Sequence, residues 1–144
     1  MVKYNDESTR ARRRQAGTSV VEMALVLPLL LLLVFGIGDF GIAYTQWNSL
    51  TNAVREGARV GVVFQTPCNP ATVTNTIENT VSNFAASSGL NGAGIVTTVT
   101  NPCAGTGSQL TVRSTIPYNY IAVAALAGLA PSINLTAQTV MRNE

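Results

Sequence analysis

Glu22 is the residue whose position calls for chemistry. It is a carboxylate in the first turns of an otherwise apolar run, where an ionisable group is costly and usually has a partner. Gly17 stands just before it, with four residues between the two. A cut after Gly17 would make Thr18 the N-terminus. Its new ammonium group would then lie about one helical turn from Glu22. In a bundle of such helices, Glu22 would neutralise the Thr18 ammonium of a neighbour in a low dielectric, where such a pair matters. The plainer reading is an interfacial glutamate whose carboxylate reaches back to water.

Other chemistry is harder to assemble. The chain has no histidine, which removes the commonest general base and the commonest metal ligand. Beyond residue 50 the acids are Glu56, Glu78 and Glu144, a poor basis for a paired-carboxylate mechanism. Cys68 and Cys103 lack the CxxC spacing of zinc sites and redox motifs. Catalytic residues, a metal site and a cofactor are therefore not expected, and the chain does not read as an enzyme. In an oxidising compartment the two cysteines read as a disulfide, worth about 4 kcal/mol in the chain-entropy model. The alternative is two unpaired thiols. Each cysteine follows a proline, Pro67 or Pro102, in a turn-like stretch. Asn134-Leu135-Thr136 fits a glycosylation acceptor, a triplet common by chance.

The element that must position Glu22 is apolar. Residues 20–37 are interrupted only by Glu22 and Pro28. The uncharged core, residues 23–38, covers roughly 24 Å as a helix, and extension through Phe40 to Tyr44 completes a membrane span. Lys3, Arg10, Arg12, Arg13 and Arg14 precede it against Asp6 and Glu7, a net charge of +3. The rest of the chain is −1. This asymmetry places the N-terminus in the cytoplasm and the C-terminal domain outside it, with Tyr44 and Trp47 at the outer aromatic belt. The Arg12–Arg14 cluster sits directly against the apolar run, which favours a membrane topology signal over nucleic-acid binding. A cleaved signal peptide is the rival reading, with Gly41 and Ala43 as a weak cleavage site, but the helical pattern continues past them.

The rest predicts an α+β fold: a long N-terminal membrane helix, then a small extracytoplasmic domain with a second helix on a short antiparallel sheet. Residues 1–17 read as a polar, basic, disordered leader, 18–46 as the membrane helix, and 47–144 as the domain. The first helix continues to about residue 64, with Leu50, Ala53, Val54, Gly57, Ala58 and Gly61 at helical spacing. Gly57 and Gly61 form a GxxxG too far from the apolar run to dimerise in a membrane, so they are expected to pack within their own domain. A second helix fits residues 71–86, with Val73, Ile77, Val81 and Phe84 on one face. Strands fit residues 95–100, 109–116 and 133–141. The first two form a hairpin through the Cys103 loop. In the second, Leu110, Val112 and Ile116 point inward; in the third, Ile133, Leu135, Ala137 and Met141 share a face. Between them, residues 118–130 read either as a short helix over the core or as an exposed contact patch.

Three blocks resemble the TadE-like family of the Tad (tight adherence) pilus apparatus. They are Val21-Glu22-Met23-Ala24-Leu25-Val26-Leu27-Pro28, the Gly36 to Gly41 stretch with Asp39-Phe40-Gly41, and Arg55-Glu56-Gly57-Ala58-Arg59. Gly17-Thr18-Ser19-Val20-Val21-Glu22-Met23 also resembles the G/xxxxE processing site of type IV prepilins and pseudopilins. Met23 stands where the family commonly has an aromatic residue, and Thr18 where many major pilins have Phe. The resemblance implies a minor pilin or pseudopilin, held in the inner membrane by one pass and cut after Gly17 by a prepilin peptidase. It further implies Thr18 as the mature N-terminus, open to N-methylation, and Glu22 as the assembly glutamate. The implied partners are the peptidase, other pilin subunits through the N-terminal helix, and membrane lipid before assembly. The rival readings are an uncleaved membrane-anchored binding module and a secreted adhesin.

Overall fold

The computed structural model describes residues 6–63, 67–90, 94–120 and 132–143, with side chains from residue 18 onward. Helix α1 runs from Asp6 to Gly61, 56 residues, or about 84 Å at helical rise. It begins inside the leader expected to be disordered. Asp6 and Glu7 fall at its first turn, where the helix dipole favours negative charge. The Ala, Arg and Gln residues that follow are good helix formers. Pro28 lies within α1 without ending it, which an apolar spanning helix tolerates. The helix stops at Gly61, short of the expected residue 64, and the Val62 N–H closes the last turn on the Ala58 carbonyl at 3.1 Å.

Helix α2, Pro70–Ser87, is fixed at both ends. Asn69 accepts from the Ala71 N–H at 3.0 Å, and Pro70 occupies the first helical position, where its missing N–H costs nothing. At the other end Gly89 adopts φ +80°. Its N–H reaches Ala86 O, and that of Leu90 reaches Ala85 O, the Schellman arrangement. Leu90 is buried beneath the turn. The buried face is Val73, Ile77, Val81 and Ala85. Phe84, expected on that face, is 37% exposed. The difference follows from strict i, i+4 spacing, which brings Ala85 rather than Phe84 under α1.

The reason α2 can lie so close is Gly57 and Gly61. A Cβ on Gly57 would sit 2.5 Å from Val81 Cγ2; one on Gly61 would sit 2.5 Å from Ile77 Cδ1 and 2.8 Å from Leu110 Cδ2. The GxxxG thus packs within its own domain, as expected. Leu50, Ala53, Val54 and Ala58 fill the rest of the seam and join the α2 residues, Leu110, Val112, Ile116 and Ala137 in one core.

The sheet is an antiparallel meander of β1 (Val96–Thr100), β2 (Gln109–Asn119) and β3 (Ser132–Arg142), with β2 in the centre. The expected hairpin is β1–β2, paired from Val96↔Thr115 to Thr100↔Thr111. On β2, Leu110, Val112, Ser114, Ile116 and Tyr118 are all buried. The Ser114 hydroxyl is satisfied by Thr97 at 2.9 Å, as a buried polar group must be. On β3, Ala137 is buried and Leu135 and Met141 pack against the core, whereas Ile133 at the strand's end is 40% exposed. β2 runs three residues past the expected end. Pro117 lies beyond the last β1 pair, so no β1 partner there needs its N–H. Tyr118 is therefore a core strand residue and not the start of a helix or contact patch. The remainder of that expected segment, residues 121–130, lies outside the described residues.

Cys68 and Cys103 are joined in a disulfide, with Cα atoms 6.0 Å apart. It ties the chain just before α2 to the β1–β2 loop.

Gly57→Ala should lower stability by about 1–3 kcal/mol through overpacking, despite the higher helix propensity of alanine. Gly41→Ala, whose Cβ would meet nothing within 4 Å, should leave stability unchanged or slightly raised. Thermal unfolding of the detergent-solubilised pair checks the contrast.

Candidate functional site

Burial divides α1 into two parts. From residue 18 to residue 38 its side chains are exposed, with Gly36 alone half-buried. The large ones lie open on every side: Leu25 70%, Leu29 70% and Ile37 67% exposed. From Asp39 onward one face is covered by the domain, with Asp39, Ala43, Leu50, Ala53 and Val54 buried. Among the described residues α1 is the one helix long and apolar enough to cross a membrane, and none of its most apolar window is buried. Bare apolar surface of this extent needs a cover of lipid or of other helices.

The residues singled out by sequence fall on this helix, at the disulfide and, for Asn134-Leu135-Thr136, on β3. Gly17, Thr18 and Glu22 lie on one uninterrupted stretch of α1, and Thr18 and Glu22 are exposed. Thr18 and Glu22 are four residues apart, so they share a face one turn apart. The structure brings Cys68 and Cys103 together, far along the chain from Glu22. Among the described residues no group of three or more Cys, Asp or Glu side chains converges as a metal site.

Two contacts fasten the domain to α1 where the bare stretch ends. The Tyr118 hydroxyl donates to the Asp39 backbone carbonyl at 3.0 Å, in a buried setting. Higher up, Trp47 Nε1 donates to the Thr136 carbonyl at 3.1 Å, so α1 satisfies one backbone group of the edge strand β3. Trp47 remains 41% exposed, and its ring is 6.1 Å from Tyr44, which is 59% exposed. Burial raises the Tyr118 pKa above its ordinary value of 10.0; the Asp39 carboxylate and then Tyr120 add to the rise. Sequence reasoning missed both contacts. Each ends on a backbone carbonyl, so residue type gives no signal for either.

Tyr118→Phe should cost about 1 kcal/mol by removing this hydrogen bond. Because the folded state favours the neutral phenol, the stability linked to Tyr118 is complete below pH 10 and is lost as pH rises through the raised pKa. The phenylalanine variant should lack that component of alkaline destabilisation, read from unfolding midpoints between about pH 8 and pH 11.

Comparison with curated proteins and with solved structures gives no match to this chain. The family model described as TadE-like protein matches residues 17–59, a stretch of α1 that takes in all three sequence blocks.

Proposed function

We propose that the protein is a minor pilin or pseudopilin of a Tad-type pilus, acting by assembly and not by catalysis. The observation that carries the reading is the bare apolar stretch of α1 placed directly behind Gly17, at the point where the family match begins. In this reading the chain is inserted in the inner membrane with its N-terminus in the cytoplasm and its domain outside. A prepilin peptidase cuts after Gly17, leaving Thr18 as the N-terminus. The helix then moves from lipid into a bundle of pilin helices.

Glu22 gives this step its specificity. A carboxylate at the middle of a spanning helix costs about 3 kcal/mol on insertion scales, and less near the end. That cost is offset in the bundle if the carboxylate meets the Thr18 ammonium of a neighbouring subunit. The exposure of Glu22 in the single chain supports a partner that comes from outside the chain.

Mass spectrometry of protein extracted from cells that contain the peptidase should show loss of residues 1–17. An intact leader there would sink the processing claim. Glu22→Ala should still be cut, yet fail to enter sheared pilus fractions, whereas Gly17→Ala should reduce or abolish cutting. Normal function of both variants would instead support an uncleaved, membrane-anchored module.

A further inference from the structure

The domain and the membrane-spanning stretch overlap along α1. About 20 helical residues are needed for roughly 30 Å of hydrocarbon. Counted from Met23, the first residue after Glu22, they end at Ile42. Yet Asp39 is already buried under the domain, and the end of β2 reaches it through Tyr118. Counted from Thr18, they end at Ile37. Asp39 then lies in the headgroup layer, about 5–7 Å deep on each side. By either count, the Tyr118 end of β2 stands at the level of the lipid surface.

We propose that the folded domain rests on the outer leaflet through its β2–β3 end, so that the protein holds the bilayer both through α1 and through this edge. The inference rests on the membrane-inserted form in the function proposed above. The occupant of the edge is the boundary between phospholipid headgroups and acyl chains. The surface there has the chemistry for it. Phe40 is 72% exposed and Ile42 46%, both on α1. Ile133, paired with Tyr118, is 40% exposed at the start of β3. Tyr120 is half-buried, its ring 5.3 Å from that of Tyr118 and edge-on to it. Tyrosines favour this boundary because one end is apolar and the other takes hydrogen bonds.

Apart from the buried Asp39, the described charged side chains of the domain lie away from this end. Between Asp39 and Arg55, α1 carries none. Arg142 pairs with Gln109 at the opposite end of the β2–β3 ladder from Tyr118↔Ile133, about 30 Å away along the strands. Cationic side chains are missing from the membrane-facing edge among the described residues, so attachment is apolar and does not depend on anionic lipid.

The test uses the full, uncut chain in phosphatidylcholine vesicles, with and without lipid brominated high on the acyl chain. Trp47 is the one tryptophan; Trp47→Phe clears the background for tryptophans placed singly. Leu31→Trp reports insertion of α1. Ile133→Trp should lose fluorescence to the brominated lipid about as strongly as Leu31→Trp, and Thr100→Trp, at the far end of the sheet, should not. An unquenched Ile133→Trp beside a quenched Leu31→Trp overturns the proposal, because the domain then stands clear of the bilayer. Blue-shifted, unquenched emission that varies with protein-to-lipid ratio also overturns it, since a second copy then covers the edge. An unquenched Leu31→Trp sinks the membrane reading itself. In a second measurement Trp47 is kept and Ile133→Asp is introduced. Aqueous iodide should reach Trp47 more readily than in the parent, and unchanged quenching counts against the proposal.

Discussion

The close approach of α2 to α1 at Gly57 and Gly61 is the contact on which the domain depends. With no side chain at either position, Val81 and Ile77 lie directly on the α1 backbone, and Leu110 of the central strand reaches Gly61 as well. Three elements therefore meet at two residues. Close-packed interiors tolerate little added volume, so this junction sets the distance from helix layer to sheet. The sheet's orientation follows, and it brings Tyr118 to Asp39 and Thr136 to Trp47. A short sheet of three strands has little core of its own. The upper half of α1 supplies the missing layer.

That arrangement makes one helix serve two solvents. Its lower part exposes aliphatic side chains on all sides, while its upper part shows them on one face only. This change in pattern, and not a break in the backbone, marks where the domain begins. The Asp39 contact puts that point about two turns below Trp47, lower than a boundary at residue 47. The aromatic residues expected at an interfacial belt consequently divide their roles. Tyr44 stays largely exposed, whereas Trp47 gives its N–H to β3.

What could be read from sequence was what repeats locally. Period-2 alternation revealed the inward row of β2, and helical spacing revealed Leu50, Ala53, Val54 and Ala58, because burial on one face leaves a periodic trace. Ala85 and not the larger Phe84 completes the buried face of α2, because it falls on the i, i+4 row from Val73. The end of β2 is not marked in the sequence, because whether Pro117 can sit in the strand depends on where β1 stops pairing. The Tyr118–Asp39 and Trp47–Thr136 hydrogen bonds join residues 79 and 89 positions apart. Each ends on a backbone carbonyl, which any residue type offers, so no pattern of residue types encodes them. Gly17 and Glu22 are a signal of a different kind, a short spacing on which the tertiary fold does not bear.

The two carboxylates of the apolar region, Glu22 and Asp39, show how the proposed assembly would gain direction. Asp39 is buried against the domain, and the Tyr118 hydrogen bond to its backbone fixes the level at which α1 leaves the folded part. Glu22 is exposed near the other end of the bare stretch. Lipid tails and neighbouring apolar helices cover aliphatic side chains about equally well, so the hydrophobic effect hardly distinguishes membrane from bundle. Leu25, Leu29 and Ile37 then require a cover without choosing which. The choice passes to the polar group, whose ionised form is poorly served by hydrocarbon and well served by a cation at matching height on a neighbour. In this account the aliphatic residues make transfer between the two environments inexpensive, and Glu22 determines its register.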